Sequence, residues 1–189
     1  MAQKGFTIWF TGLSGAGKST LANLLYEELK CRRGLKVERL DGDEVRQNLS
    51  KGLGFSKDDR DTNIRRIGYV CDLLARNEVI AIAAAISPYR AIRDENRALI
   101  GADRFVEIHM HVPLAVAIQR DTKGLYEKAI RGEIKEFTGV SDPYEPPLAP
   151  AVYVDSSQET PAQSFARIMG YLEECGFIAQ DGRPAQASR

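Results

Sequence analysis

Cysteine is scarce in this chain: Cys31, Cys71 and Cys175 stand far apart, and none belongs to a C-x-x-C pair. Thiols so placed cannot build a disulfide framework or a zinc knuckle, and they fit a reducing, cytoplasmic compartment. Histidine is scarcer still: His109 and His111 alternate along one strand-like run and are too few to make a metal centre by themselves. Net charge is also missing, because 26 Lys and Arg balance 26 Asp and Glu. A general nucleic-acid or membrane-surface binder would carry excess positive charge, so neither partner is expected. No apolar run approaches membrane-spanning length, the N-terminus lacks a signal-peptide pattern, and no internal repeat or low-complexity region occurs.

What is present is a complete phosphate-binding loop, Gly12-Leu13-Ser14-Gly15-Ala16-Gly17-Lys18-Ser19, followed by Thr20. It lies between the apolar run Phe6–Phe10 and a helical pattern marked by Leu21, Leu24, Leu25 and Leu29. The glycines let successive backbone N–H groups turn inward around a phosphate chain. Lys18 supplies a cation for the outer phosphates, and the Ser19 hydroxyl suits Mg²⁺. The helix that follows points its positive end at the same anions. A nucleoside triphosphate with Mg²⁺ is the expected ligand.

A length of 189 residues suits one α/β domain, drawn over 1–178, with a polar tail at 179–189. Strand-like runs recur at Phe6–Phe10, Lys36–Leu40, Val79–Ala85, Phe105–Val112 and Val152–Val154. Helical patterns separate them at Ser19–Arg32, Ser56–Arg76, Arg90–Ile100, Leu114–Arg120 and Pro161–Cys175. The alternation, with the phosphate loop, predicts a three-layer α/β P-loop NTPase/kinase fold: a mostly parallel five-stranded sheet with helices on both faces. Ser56-Lys57-Asp58-Asp59 reads as a variant capping box, and Thr160-Pro161 as an N-cap followed by proline. The glycine- and proline-rich stretch 121–150 breaks the alternation but carries Leu125, Tyr126, Phe137 and Tyr144, so a lid that orders over a ligand is expected there.

Asp41-Gly42-Asp43 follows a strand and brings two carboxylates to the phosphate end of the sheet. One can hold Mg²⁺ and the other can accept a proton; the alternative is a turn in which Asp43 caps the next helix. Arg46, Arg60, Arg65, Arg66, Arg90, Arg93 and Arg97 cluster in an otherwise neutral chain. Guanidinium forks suit phosphate or sulfate oxygens, so two or three are expected on an anionic substrate and the rest in structural roles. Phe55 and Phe137 sit in glycine-rich loops, where each can pack in the core or stack on a planar base.

These motifs, with Leu53-Gly54-Phe55-Ser56, Asn63-Ile64-Arg65-Arg66-Ile67-Gly68, Ile86-Ser87-Pro88-Tyr89-Arg90, Arg120-Asp121-Thr122-Lys123-Gly124-Leu125-Tyr126 and Phe137-Thr138-Gly139, resemble adenylylsulfate kinase from about Gly5 to Ile178. The resemblance implies transfer of the ATP γ-phosphoryl group to the 3′-hydroxyl of adenosine 5′-phosphosulfate, by a protein that forms a homodimer. It implies a catalytic set of Lys18, Asp41, Asp43, Ser87 and Lys123, with Ser19 and Asp43 toward the metal. Substrate contacts are implied for Asp43, Arg46, Phe55, Arg60, Asn63, Ile86, Ser87, Lys123, Gly124, Leu125 and Phe137, and Arg120 would lie against the ATP base. For Ser87 two roles stand open, a phosphoserine intermediate or a turn whose hydroxyl caps the next helix; direct transfer is the preferred reading.

The chain departs from the family pattern at Ala85, where a bulky apolar residue is usual, and at Asn77-Glu78 and Glu136, where glycine is usual. Thr122 replaces a usual proline. None removes a group the chemistry needs. Another small-metabolite P-loop kinase, for a nucleoside, shikimate or gluconate, is the competing enzyme reading. A non-catalytic sulfonucleotide sensor is the competing binding-module reading, disfavoured by the intact loop.

Overall fold

The computed structural model describes residues 3–180; positions 1–2 and most of the expected tail, 181–189, lie outside the described residues. Five strands form one sheet: β1 (Thr7–Thr11), β2 (Val37–Asp41), β3 (Ile80–Ala84), β4 (Phe105–His111) and β5 (Val152–Asp155). Their order is β2-β3-β1-β4-β5, and every pairing is parallel. β1 and β3 are buried along their whole length, as strands covered on both faces must be.

Seven α-helices fill the connections among the described residues: α1 (Lys18–Tyr26), α2 (Gly42–Gln47), α3 (Lys57–Arg76), α4 (Arg90–Ile100), α5 (Leu114–Arg120), α6 (Leu125–Ile130) and α7 (Pro161–Glu174). The expected helix to Arg32 stops being α-helical at Tyr26 and continues as a π-helical turn, Glu27–Arg32. Phe6, Ile8 and Phe10 enter a core with Leu21, Leu25 and Ile168 on one side of the sheet. Trp9 enters the second core with Ile64, Ile67, Cys71 and Ile92 on the other. Alternation along β1 therefore gives the three layers.

Caps set the helix boundaries. Ser56 Oγ accepts from Asp59 N at 3.2 Å, but the return half of the box is replaced by a Ser56 Oγ–Asp59 Oδ2 bond of 2.9 Å. Thr160 and Gln163 form a complete capping box ahead of Pro161. At the other end of α3, Glu78 N reaches Ala75 O and Val79 N reaches Leu74 O, a Schellman closure in which Glu78 takes the left-handed position at φ 63°. That is a glycine's conformation held by a glutamate, so the Glu78 departure carries strain that composition did not reveal.

The connection leaving β1 runs toward β2 and that leaving β4 runs toward β5, so a crevice opens beyond the carboxyl ends of these neighbours. Segment 121–150 lies over that edge. It is not a bare loop: α6 and a turn closed by Ser141 N and Asp142 N on Phe137 O give it structure of its own. No described helix is long and apolar enough to cross a membrane.

Candidate active site

The loop between β1 and α1 folds where it does because Gly12 touches β4: a Cβ there would lie 2.3 Å from the Met110 carbonyl oxygen. Gly17, at φ 88°, ends the loop in a conformation that L side chains rarely adopt and starts α1. Lys18 Nζ donates to the carbonyls of Gly12 at 2.9 Å and Leu13 at 2.7 Å. Burial pushes the Lys18 ammonium down to about 7; the charge of Lys123 adds to this, while Asp41 and Asp43 oppose it.

Asp41 ends β2 and turns the chain: its Oδ1 accepts Asp43 N at 3.0 Å and so caps α2. The cap is Asp41, not Asp43, because only the residue preceding the first turn faces those N–H groups. Asp41 Oδ2 accepts the Ser19 hydroxyl at 2.7 Å, and Arg39 Nη1 stands 3.5 Å away. Asp43 is left largely exposed and pairs with Lys123 from segment 121–150. Ser19 and Asp41 thus present two hard oxygens side by side at the mouth of the loop, a donor set suited to Mg²⁺ with its remaining waters.

Both carboxylates, Lys18 and the aromatic residues share one cavity of about 530 Å³. Phe55 is 52 % exposed and lies under Arg46 and Arg60, whose guanidinium carbons are 4.5 and 5.5 Å from the ring centre. Arg46 Nη1 donates to Gly54 O at 2.8 Å. Arg60 Nε donates to Phe55 O at 2.8 Å and Nη2 to Glu136 O, so one buried guanidinium ties the two ring-bearing loops together. Phe137 is only 7 % exposed and meets Tyr126 edge-on at 5.1 Å. Glu136, beside it, sits at φ 54°, again where glycine is usual. Asn63 also lines the cavity, and its buried Oδ1 has no hydrogen-bond partner among the described residues. A buried amide oxygen left in that state is matched to a donor it does not find within the fold.

Ile86 and Ser87 close the floor. Ser87 is buried at φ 39°, and its hydroxyl accepts from Trp9 Nε1 at 3.1 Å. It caps nothing: α4 begins after Tyr89, and Arg90 N is met at 2.7 Å by Glu145 Oε2 from far along the chain. The helix-capping role expected of Ser87 is therefore corrected, since the left-handed backbone turns its hydroxyl back under β1. Thr11 Oγ1 donates to Ile86 O at 2.8 Å, and Arg93 Nη1 to Ser87 O at 2.6 Å. Arg93 also reaches Glu145 O at 2.7 Å and is held by buried Glu107 at 2.9 Å.

The other expected residues separate. Ser14, Gly15, Gly17, Thr20 and Leu125 line the cavity; Gly12, Ala16, Gly124 and Arg120 do not. Leu13 faces a second hollow beside His109 and Tyr144. Arg120 ends α5 and donates to Ser156 O at 2.6 Å and to the loop carbonyl Gly15 O at 3.4 Å, away from the cavity. Of the arginine cluster, Arg46 and Arg60 reach the cavity. Arg65 pairs with Glu95, Arg66 binds Leu49 O, and Arg97 joins Glu107. Trp9, Thr11, Glu107 and Glu145 support the site without having been expected there. Nothing local marks them, because each partner lies in a different element.

The sequence profile of the adenylylsulphate kinase family matches residues 4–155. A probable bifunctional SAT/APS kinase 2 of Sorangium cellulosum is 59 % identical over 184 residues, 97 % of this chain; the chain spans only 31 % of that longer protein. An adenylyl-sulfate kinase of Rippkaea orientalis is 57 % identical over 180 residues, covering 95 % of this chain and 98 % of that one. The solved Mycobacterium tuberculosis APS kinase CysC, in complex with AMPPNP and APS, superposes with a TM-score of 0.84 at 38 % identity, over 90 % of this chain and 99 % of that one.

Proposed function

Because the chain belongs to the adenylylsulphate kinase family, we propose that it transfers the ATP γ-phosphoryl group to the 3′-hydroxyl of adenosine 5′-phosphosulfate. The products are 3′-phosphoadenosine 5′-phosphosulfate and ADP. One observation carries this reading: a single cavity joins the phosphate loop to a compartment walled by Phe55 and Phe137 under two arginines. Two nucleotides of different chemistry can meet there, triphosphate on one side and a base with an anionic tail on the other. A solved relative that holds AMPPNP and APS together supports the pairing.

The residue roles follow from position. Backbone N–H groups of the loop hold the phosphates, and Lys18 exchanges two carbonyl partners for γ-phosphate oxygens. Ser19 and Asp41 would hold Mg²⁺, which would supply positive charge against the triphosphate; the adjacency of their oxygens favours Asp41 over Asp43 for this task. Asp43 then faces the acceptor, where its carboxylate can take the 3′-hydroxyl proton as the new O–P bond forms and the bond to the β-phosphate oxygen breaks. Lys123, brought by segment 121–150 acting as a lid, neutralises Asp43 and the transferring group. Phe55 and Phe137 grip the acceptor adenine.

Transfer is direct. Ser87 is buried, its oxygen accepts from Trp9, and among the described residues its hydroxyl is hydrogen-bonded to no carboxylate or imidazole. Ser87→Ala is expected to keep turnover within about tenfold of wild type, since positioning and charge supply the rate; abolished turnover together with a trapped phosphoserine would overturn this. Cytoplasmic location and assembly as a homodimer belong to the same reading, and the dimer is checked by mass in solution. The function itself is tested with ATP, Mg²⁺ and a panel of acceptors. Adenosine 5′-phosphosulfate should release ADP fastest, and release with gluconate, shikimate or a nucleoside instead would refute the assignment.

A further inference from the structure

We propose that Tyr126 is a positioning residue that couples the two halves of this cavity, so that ATP in the phosphate loop tightens the acceptor's berth. The proposal rests on the two-nucleotide reading above and adds a residue to it. Tyr126 touches both halves. Its hydroxyl donates to the Ser14 carbonyl in the phosphate loop at 3.0 Å. Its ring meets the Phe137 ring at 5.1 Å and 79°, an edge-to-face contact. Burial pushes the phenol up to about 12, so it remains a donor across the working range.

Tyr126 has little freedom to respond to one side alone. It is 1 % exposed, and the Asp121 carboxylate accepts both Tyr126 N at 3.1 Å and Glu127 N at 2.9 Å. Next to Asp121, Arg120 holds the adjoining loop residue through Gly15 O. A movement of Ser14 and Gly15 must therefore carry Tyr126 with it or leave a buried hydroxyl without its acceptor, which is costly. Carrying the ring shifts the edge that supports Phe137. A triphosphate that fixes the loop thereby fixes the Phe137 wall, and the acceptor pays less ordering entropy on arrival. The effect is reciprocal, because linkage makes each ligand raise the other's affinity by the same factor.

Core packing alone would also bury Tyr126, so the test removes the hydroxyl and keeps the ring. The dissociation constant of adenosine 5′-phosphosulfate is measured by calorimetry with and without Mg²⁺ and a non-hydrolysable ATP analogue. In wild type the analogue should tighten the acceptor by about 5- to 20-fold. In Tyr126→Phe that ratio should fall below about twofold, with the melting temperature and the acceptor constant measured alone nearly unchanged. A wild-type ratio in Tyr126→Phe, or a wild-type ratio of one, overturns the proposal. Should a different acceptor prove to be the substrate, the proposed function fails, while the same ratio measured with that acceptor still tests Tyr126. If Tyr126→Phe folds poorly, hydrogen exchange in wild type replaces it: the analogue alone should protect amides around Phe137, and no change there overturns the coupling.

Discussion

Phe55→Ala separates a binding wall from a core residue. Phe55 is 52 % exposed, whereas Phe137 is 7 % exposed. A phenylalanine buries roughly 200 Å² when fully covered, so about 100 Å² of Phe55 is free to be covered by a base. At about 25 cal/mol per Å² the ceiling is about 2.5 kcal/mol, or about 70-fold in affinity. Cover on one face only gives about half of that, or about tenfold. The acceptor dissociation constant should therefore rise between about 10- and 70-fold in Phe55→Ala, while that of ATP stays put. Folding should barely respond. The ring loses its contacts with Arg46 and Arg60, about 0.5–1 kcal/mol in all at an exposed site, which is about 1–4 °C in melting temperature for a domain of this size. Calorimetric titration of the acceptor, beside a melting curve, reads both quantities. An unchanged acceptor constant would refute the stacking role, and a large drop in melting temperature would make Phe55 a core residue.

Nucleotide binding should take up protons above neutrality. Lys18, lowered to about 7 by burial, is mostly neutral at pH 8 in the free protein and recharges against the triphosphate. Binding enthalpies in buffers of different ionisation heat should show uptake approaching about one proton at pH 8 and near none at pH 6; zero uptake at pH 8 contradicts the lowered value. The same shift acts on folding. The unfolded chain holds this proton up to its ordinary 10.5, so the cost of burying the charge is full below about 7 and is relieved as pH rises toward 10.5. Glu78→Gly should stabilise by about 0.5–1 kcal/mol, or about 1–4 °C, by relieving the left-handed φ of 63° against the entropy that glycine costs; a lower melting temperature would show that the Schellman position is not strained. Arg93→Met should cost about 3–5 kcal/mol, because it frees the Ser87 and Glu145 carbonyls and leaves buried Glu107 with Arg97 alone. Denaturant titration measures this, and a loss below about 1 kcal/mol would mean the network is not closed around Arg93.

The phosphate loop could be read from residues alone because its chemistry is local: a strand, a few glycines and Lys18 make a phosphate nest wherever they fold. The strands were legible within a residue or so at most ends, since apolar runs between helical patterns leave a parallel sheet little choice. Thr160-Pro161 announced α7 by the same local logic. Of two six-residue helices, α6 escaped and α2 was legible only as an alternative, with the wrong aspartate as its cap. Neither is long enough to show a period, and both depend on a preceding aspartate, Asp41 or Asp121, whose carboxylate accepts the first free N–H groups.

What only the tertiary structure decided is how distant residues share the work. Ser87 reads as a turn serine until Trp9 claims its hydroxyl and Arg93 its carbonyl. Arg60 reads as an anion ligand until its donors are found on the backbones of Phe55 and Glu136, 76 residues separating Arg60 from the latter. Glu145 caps α4 across 55 residues. Sequence patterns report what a residue does to its near neighbours along the chain. These contacts exist only once a sheet ordered β2-β3-β1-β4-β5 brings the carboxyl ends of β1, β3 and β4 together, and segment 121–150 folds over them.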